Sequence, residues 1–288
     1  MPQATPKIAI LPSNMKLGAQ PGAIPLERLI WPLGTPQEIS GKCLRDLGAD
    51  DHLIVFPRTT LHFRPFWGIR ARISIMVMEP PAIHGHHLRR LRWSYRRFFR
   101  VLTCNEGLLA AIPNGIFFAH GSTWVPEWRT LDLTKTRMTS LIASAKRSQE
   151  GHALRHSVAA WASAEGLDVD TMGGGYVPFG AKAEGLAPYR YSIVIENVRE
   201  RNYFTEKLLD AVLCQTVPIY WGCPNIADFI DTSGMIICES QEDIRRAVLD
   251  VSETQYEALR PGLIAAQGQA DGWADYMGRA ARAVLDSA

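Results

Sequence analysis

Short, continuous apolar runs that alternate with amphipathic segments constrain the fold of this chain more than any other feature. These runs predict strands at residues 8–11, 53–56, 73–78, 101–103, 116–119, 140–143, 191–195, 217–220 and 235–237. Helical spacing is found at residues 88–99, 152–165, 205–214, 241–251, 253–267 and 271–286. Uninterrupted apolar strands between helices are typical of a mostly parallel sheet covered on both faces. We therefore predict an α/β fold.

A change in composition near residues 130–137 marks a candidate domain boundary. The preceding stretch, 114–126, is rich in Gly, Pro and Ser, and a new strand–helix series begins at Ser140. A length of 288 residues is compatible with two domains. We predict two Rossmann-like domains, 1–135 and 136–288, with a cleft between them. Ligands of open α/β sheets bind beyond the carboxyl ends of the strands, so polar residues there are the first candidates for a site.

Composition and charge bear on the binding partners and the cellular location of the protein. The formal net charge is only +2, so no global field points to nucleic acid as a partner. The five cysteines are scattered without a CxxC pair, which fits reduced thiols. The apolar run in MPQATPKIAILPSNMK is too short for a signal peptide, and no stretch approaches the roughly 20 apolar residues of a membrane span. We expect a cytoplasmic protein, with peripheral contact at the inner membrane surface as an open alternative.

The segment after the predicted strand 191–195 has the pattern of an anion site. Glu196 and Asn197 end the strand, and Thr205 is a good N-cap for the next helix. The amino end of that helix would point back to the strand end and offer free N–H groups and the positive end of the helix dipole. Lys207, in the first helical turn, is unfavourable for the helix itself, and a nearby anion would explain it. An ordinary βαβ unit with a solvated lysine is the alternative.

The same stretch, YSIVIENVRERNYFTEKLLDAVLCQTVPIYWGCPN, resembles the donor-binding motif of glycosyltransferase family 10, the α1,3/4-fucosyltransferases. That motif has an apolar strand, Glu-Asn, five residues, Tyr, one residue, Thr-Glu-Lys, a helix, and then Val/Ile-Pro-Ile-Tyr-Trp-Gly, and every anchor is in register here. The resemblance implies a GT-B type fold and inverting transfer of fucose from GDP-fucose to a glycan hydroxyl group. It also implies that a GDP-sugar is the donor substrate, with no cofactor.

The family resemblance implies roles for individual residues. Lys207 would neutralise the donor diphosphate, and Glu206 would hold the nucleotide ribose. Asn197 and Tyr203 would contact the phosphates or the nucleoside. The family places an arginine in the helix after the first strand of this domain, and Arg155 in HALRHSVAAWA is the candidate for the second diphosphate cation.

The sequence leaves the interpretation of two features near Arg155 undecided. The aromatic pair that follows the arginine in the family is absent, so Arg147, in the preceding loop, is the alternative cation. The glycine run at 173–175 falls where the family often has glycines. Such a run lets a backbone approach a ligand, and a flexible surface loop fits it equally well.

Glu79 is the candidate catalytic base. It follows the predicted strand 73–78 and is held by Pro80 and Pro81. A carboxylate at a strand end can take the proton of an acceptor hydroxyl group, which inverting transfer requires. The family carries a similar Glu-x-Pro-like turn, whose glutamate would be the base. A surface glutamate that merely ends a strand is the alternative.

A histidine-rich and arginine-rich segment follows. We interpret His84, His86 and His87 as part of a polar loop, since their spacing fits no zinc pattern. Residues 88–100 contain six arginines and no acid, with apolar residues on the opposite helical face. A solvated face is the first interpretation. Contact with an anionic membrane surface, which suits a lipid-linked acceptor, comes second, followed by an acidic glycan and by nucleic acid with interleaved aromatic residues.

The Asp-x-Asp pair at Asp168 and Asp170 holds a divalent metal in another class of sugar transferases, but two carboxylates alone rarely define a site. We therefore expect no metal at the donor site. The function predicted is that of an inverting, metal-independent fucosyltransferase with a glycan acceptor. A GT-B transferase that uses a different nucleotide sugar, and a non-catalytic glycan-binding protein on the same scaffold, remain as alternatives.

Overall fold

Ten strands form two separate five-stranded parallel sheets in the computed structural model, which describes residues 5–288. The first four residues of the N-terminal segment assessed as a leader lie outside the described part. The chain divides into two units. The N-terminal unit comprises the chain up to Ala119 together with Tyr276–Ala288, and the C-terminal unit comprises His120–Asp275.

The sheet of the N-terminal unit has its strands in chain order. Its elements are β1 (Ile8–Ile10), β2 (His52–Val55), β3 (Arg72–Val77), α1 (Pro81–Ser94), β4 (Val101–Thr103), α2 (Glu106–Leu109) and β5 (Gly115–Phe117). Neighbouring strands pair in parallel from β1 to β5. Because crossovers between parallel strands are right-handed, sequential order places all of them on one face of the sheet. The opposite face therefore needs another cover.

Side chains that alternate along the strands build two cores in this unit. One face packs against α1 through residues that include Ala9, Leu53, Val55, Ile75, Val77, Leu88 and Leu91. The other face carries Ile8, Ile10, Ile54, Met76 and Leu102, and it packs against Ala280, Ala281 and Val284. These last three belong to the C-terminal helix of the chain, which supplies the cover that the crossovers leave out.

The sheet of the C-terminal unit reverses its winding direction once. Its elements are β6 (Arg137–Ile142), α3 (Glu150–Ala164), β7 (Val169–Met172), β8 (Tyr189–Ile195), α4 (Glu206–Leu213), β9 (Val217–Trp221), β10 (Ile236–Ile237), α5 (Gln241–Asp250) and α6 (Glu253–Ala274), and α7 (Tyr276–Asp286) then returns to the N-terminal unit. The strand order is β10-β9-β8-β6-β7, all parallel. The reversal lies between β6 and β8, and ligands bind at such a switch point in doubly wound sheets.

Polar caps explain where two helices of the C-terminal unit begin. Ser240 Oγ accepts a hydrogen bond from the backbone of Asp243 at 3.1 Å, and the Asp243 carboxylate accepts from the backbone of Ser240 at 3.1 Å. This reciprocal capping box starts α5. Ser252 caps α6 in a simpler way by accepting from the backbone of Gln255 at 3.2 Å.

The structure differs from the sequence prediction in three places. Helix α1 begins at Pro81 and ends at Ser94, so the prediction of a polar loop before residue 88 and of a helix to residue 99 is wrong. Pro81 is suited to the first helical position because it needs no N–H partner there. Strand β7 lies outside the apolar runs that predict strands, since Asp170 and Thr171 make its sequence polar. Finally, the observed division falls after Ala119, earlier than the predicted ranges 1–135 and 136–288, and Tyr276–Ala288 joins the N-terminal unit because α7 packs on the first sheet.

None of the helices within residues 5–288 is long and apolar enough to cross a membrane.

The role of α7 as a cover for the first sheet can be tested with a single core substitution. Val284 is fully buried against the sheet, so Val284→Ala should lower the free energy of unfolding by about 1–3 kcal/mol through lost contacts and a cavity. Asp286→Ala, at an exposed position of the same helix, is the matched control and should change little. Urea unfolding followed by circular dichroism measures both, and equal stability of the two variants would contradict the packing.

Candidate functional site

The switch point of the C-terminal sheet brings the start of α3 against the end of β8. Gly151, in the first turn of α3, donates its N–H to the carbonyl oxygen of Asn197 at 2.9 Å. A Cβ atom at Gly151 would lie 1.7 Å from the carbonyl oxygen of Glu196. Only glycine permits so close a backbone approach. The backbone after β8 is therefore held against the first turn of α3.

Glu196 joins the end of β8 to the start of α4. Its carboxylate is fully buried and accepts from the backbone N–H of Thr205 at 2.8 Å and from the Thr205 hydroxyl group at 2.8 and 3.1 Å. The Lys207 ammonium lies 3.5 Å from it. Glu196 is an anchor of the family motif, but the sequence predicts no role for it. A charged residue at the end of a buried strand was the signal, since such a residue needs partners.

Lys207 already has counter-ions within the protein. Its ammonium donates to Thr205 Oγ1 at 3.0 Å and to Glu206 Oε1 at 3.1 Å, and it lies beside Glu196. Burial by itself would lower the pKa of Lys207, but the two carboxylates outweigh burial and raise it. The expectation that a bound anion explains this lysine therefore needs correction, because Glu196 and Glu206 neutralise it. The side chain remains 22% exposed, so a ligand can still reach it.

Arg155 reaches the same place from α3. Its Nε and Nη2 donate to the carbonyl oxygen of Ile195 at 2.9 and 2.7 Å, and Nη2 also donates to Asn197 Oδ1 at 3.0 Å. Burial lowers the pKa of this guanidinium, and the charges of Glu196 and Glu206 act in the opposite direction. The alternative, Arg147, is exposed in the loop before α3. The structure thus brings Arg155 together with Asn197.

Tyr203 lies at the end of a turn that a pair of asparagines holds. Asn202 has a positive φ of 64°, and its N–H donates to Asn225 Oδ1 at 2.9 Å. Asn225 Nδ2 donates back to Asn202 Oδ1 at 2.9 Å. Asparagine tolerates the left-handed region better than most residues. The turn buries Tyr203 and leads into the cap residue Thr205, and a contact of Tyr203 with a nucleoside stays a prediction.

The glycine run at 173–175 packs against the loop that follows β6. A Cβ at Gly173, which has φ +111°, would lie 2.4 Å from the carbonyl oxygen of Ala143. The N–H of Gly173 donates to the carbonyl oxygen of Val177 at 2.8 Å. Close packing of two loops at the edge of the sheet thus accounts for glycine at this position.

Asp210 is a second buried carboxyl group on α4, one turn after Glu206, and sequence reasoning missed it. Its Oδ1 accepts from the Thr123 hydroxyl group at 2.7 Å and from the backbone N–H of Trp124 at 3.1 Å, whereas Oδ2 has no hydrogen-bond partner. Burial raises the pKa of Asp210 to about 7. In the sequence, this residue falls within an amphipathic helix, so only the tertiary structure identifies it as buried.

The Asp-x-Asp pair lies at the start of β7, away from these contacts. Asp170 Oδ2 accepts from the Tyr189 hydroxyl group at 2.8 Å and from Arg137 at 2.6 Å. Asp168 is exposed. Asp170 thus links its own strand, β7, to β6 and β8. Within residues 5–288, no group of three or more His, Cys, Asp or Glu residues is placed to hold a metal ion.

Glu79 belongs to the N-terminal unit, whereas Arg155, Asn197, Tyr203, Glu206 and Lys207 belong to the C-terminal unit. Glu79 is half-buried at the carboxyl end of β3, two residues before α1 begins. This is the sheet edge that sequence reasoning assigned to it.

The histidines after Glu79 lie on α1, and His87 is hydrogen-bonded to His62. His62 Nε2 and His87 Nδ1 lie 3.0 Å apart, and His62 Nδ1 lies 2.8 Å from Ser94 Oγ. Burial lowers the pKa of His62 to about 4 and that of His87 to about 3, so both rings are neutral at neutral pH. Their hydrogen bond joins α1 to the segment before β3, so the two histidines stabilise the packing of the N-terminal unit.

A known family model matches most of the C-terminal unit. Residues 133–255 match the model of glycosyltransferase family 10 (fucosyltransferase), C-terminal part. This stretch contains Arg155 and the residues from Asn197 to Lys207. The predicted resemblance to glycosyltransferase family 10 is confirmed over these residues.

Curated relatives match over short segments. The alpha-(1,3)-fucosyltransferase FucT of Helicobacter pylori is 44% identical over 46 residues, which cover 16% of this chain and 10% of that protein. The alpha-(1,4)-fucosyltransferase of Arabidopsis thaliana is 37% identical over 51 residues, which cover 18% of this chain and 13% of that protein. The chain thus spans about a tenth of the length of these relatives.

Solved structures extend the likeness of the fold to both units. Anabaena Alr3699/HepE, solved in complex with UDP-glucose, aligns with a TM-score of 0.55 and 12% identity over 83% of this chain and 79% of that one. TarM aligns with a TM-score of 0.52 and 10% identity over 84% of this chain and 55% of that one. Together with the two parallel sheets, these neighbours confirm the predicted GT-B type of α/β fold.

The raised pKa of Asp210 predicts that the free energy of unfolding depends on pH. Because folding raises this pKa from 3.8 to about 7, the stability it contributes is complete below about pH 4 and is lost as the pH rises through 7. The free energy of unfolding of Asp210→Asn should therefore rise relative to that of wild type by about 2–3 kcal/mol between pH 5 and 8. Lys182 and Glu206 are the charged neighbours of Asp210.

Chemical unfolding at several pH values measures this difference. Asp168→Asn, at an exposed position, serves as the control and should follow the wild type at every pH. A constant difference between wild type and Asp210→Asn from pH 5 to 8 would mean that Asp210 does not titrate in this range.

Proposed function

We propose that this protein is a glycosyltransferase that moves fucose from GDP-fucose to a hydroxyl group of a glycan, with inversion at the anomeric carbon. One observation carries the proposal. Within the residues that match family 10, the end of β8, the capped start of α4 and the side chains of Arg155 and Lys207 come together at the switch point of the sheet. That is where a doubly wound sheet binds its ligand, and it is an arrangement suited to an anion.

On the donor side, each candidate residue has a role that its position supports. Lys207 and Arg155 bind the diphosphate, and Glu206, whose pKa is held down by Lys207 and Lys182 against the effect of burial, accepts from a ribose hydroxyl group. Asn197 and Tyr203 position the nucleotide. Negative charge grows on the leaving diphosphate as the glycosidic bond breaks. Fixed cations and helix N–H groups stabilise that charge, so the proposed reaction needs no metal ion.

On the acceptor side, Glu79 is the base. Its carboxylate takes the proton of the acceptor hydroxyl group while that oxygen bonds to the anomeric carbon of the sugar. The bond from the anomeric carbon to the β-phosphate oxygen breaks on the opposite face, and GDP leaves with the bonding electron pair. The position of Glu79 at the end of β3 supports this role.

The fold does not specify the nucleotide, since the Anabaena neighbour was solved with UDP-glucose. A transferase for another nucleotide sugar is therefore the first alternative, and a non-catalytic glycan-binding protein is the second. Calorimetry decides the first: tighter binding of GDP than of UDP supports the proposed donor, and the reverse order contradicts it. Transfer or hydrolysis of the donor decides the second.

The arginine-rich segment supports a peripheral membrane contact and a lipid-linked acceptor, in line with the predicted cytoplasmic location. Within residues 88–100, Arg97 and Arg100 donate hydrogen bonds to backbone carbonyl groups, so they stabilise the fold. Arg89, Arg92 and Arg96 are exposed. Beside them, Trp93 and Phe63 are 55% and 58% exposed, with ring centroids 5.4 Å apart. Exposed aromatic rings among arginines suit an anionic bilayer interface better than a purely solvated face.

Glu79→Gln should reduce transfer by at least about a hundredfold, because the amide cannot accept the acceptor proton. GDP binding should stay unchanged, since Glu79 makes no proposed contact with the nucleotide. Steady-state kinetics in the presence of EDTA, with calorimetry of GDP, measures both. The comparison variant Glu38→Gln removes an exposed carboxylate of the same unit and should keep full activity. Full activity of Glu79→Gln would exclude Glu79 as the base.

The double substitution Phe63→Ser, Trp93→Ser should weaken binding to vesicles of phosphatidylglycerol and phosphatidylcholine by about tenfold, because two interfacial rings are lost. Wild type should bind these vesicles and not vesicles of phosphatidylcholine alone. Leu249→Ser, at an exposed apolar position of the C-terminal unit, is the control. Flotation assays measure the bound fraction, and equal binding of wild type to both vesicle types would rule out this contact.

A further inference from the structure

The two cations assigned to the diphosphate are already balanced by protein carboxylates. Lys207 contacts Glu206 at 3.1 Å and Glu196 at 3.5 Å. Arg155 directs two of its nitrogens to backbone and amide oxygens, and the charge of Glu196 acts on it. Two cations and two carboxylates give this cluster no formal net charge. A diphosphate, which carries at least two negative charges, would find no excess of positive charge here.

Lys182 is a third cation at the same place, and sequence reasoning did not consider it. It begins a short 3-10 helix, Lys182–Gly185, that follows the glycine-containing loop. Burial lowers the pKa of Lys182, and the charges of Asp210, Glu206 and Lys207 also act on its side chain. Its ammonium lies 5.4 Å from the centre of the Trp124 ring. Because the backbone N–H of Trp124 donates to Asp210 at 3.1 Å, Lys182 lies beside α4, the helix that also carries Glu206 and Lys207.

Lys182 differs from the other two cations in its partners. In the described part of the chain, its ammonium makes no hydrogen bond and lies within 4.0 Å of no carboxylate. The nearby carboxyl group, Asp210, is engaged by Thr123 and Trp124, and its pKa of about 7 leaves it only partly charged near neutral pH. The ring of Trp124 is 64% exposed, and the Lys182 side chain beside it is half-buried.

We propose that Lys182 is the third donor-site cation and binds the diphosphate of the nucleotide leaving group. The proposal rests on the proposed function and adds the missing positive charge to a balanced cluster. A lysine is suited to this because its flexible stem carries a compact charge with three donors, which can leave the face of an indole ring for a phosphate oxygen. The other explanation is that Lys182 only supports Trp124.

The test compares ligands with and without phosphates. Calorimetry is run with GDP and with guanosine on wild type, Lys182→Met and Lys182→Arg. Lys182→Met keeps the apolar stem on Trp124 and removes the charge, so GDP affinity should fall by about tenfold or more while guanosine binding stays the same. Lys182→Arg should recover most of the GDP affinity. Lys42→Met, which removes an exposed lysine of the N-terminal unit, should bind GDP as wild type does.

The results distinguish a failure of the proposed donor from a failure of the proposed role of Lys182. A wild type that binds no GDP refutes the proposed donor. If wild type binds GDP no better than Lys182→Met, the role of Lys182 is refuted and the proposed donor stands. An equal loss of guanosine binding in Lys182→Met leads to the same conclusion.

A second measurement on the wild type decides the matter if Lys182→Met does not fold. Acetic anhydride labels lysine amines, and mass spectrometry gives the rate at each position. GDP should slow the labelling of Lys182 and leave that of Lys7 and Lys42 unchanged. Labelling of Lys182 at the same rate with and without GDP overturns the proposal.

Discussion

The buried carboxylate of Glu196 is the contact on which the candidate site depends. It is the first residue after β8, and it holds the cap residue of α4 through both the backbone and the hydroxyl group of Thr205. A buried charge is costly unless it is paired and hydrogen-bonded. Lys207 and Thr205 meet that requirement, so the same contacts that stabilise Glu196 fix the start of α4 and the position of its first cation. The strand end and the helix start therefore form one rigid element.

The two sheets solve the problem of covering both faces in different ways. In the C-terminal unit, the reversal between β6 and β8 sends right-handed crossovers to both faces, and it opens the switch point where Arg155 meets Asn197. In the N-terminal unit, the order β1 to β5 has no reversal, so one face would stay bare without α7. Because α7 comes from the end of the chain, the N-terminal unit is completed only by residues that follow the whole C-terminal unit.

Local patterns predicted what local physics determines. Buried parallel strands are continuous apolar runs, so β4 was predicted with its observed bounds and β8 within two residues at its start. The strand-end and cap residues around Thr205 were also recognisable, since capping is a short-range signal. The start of α1 was misplaced because histidines and a proline pair are typical of loops, although Pro81 fits a first helical turn. The counter-ions of Lys207, the burial of Asp210 and the cover by α7 are long-range contacts that no local pattern contains.

The balance of charge at the switch point has a consequence for turnover under the proposed function. Catalysis requires groups that interact more strongly with the transition state than with the bound donor. GDP carries more negative charge than the diphosphate of the intact donor, so a strongly positive site would hold the product more tightly than the substrate. Glu196 and Glu206 keep Lys207 in place and at the same time limit this attraction. Under the proposed function, the two carboxylates therefore weaken the attraction of Lys207 for GDP and favour its release, and Lys182 adds the positive charge that the balanced cluster lacks.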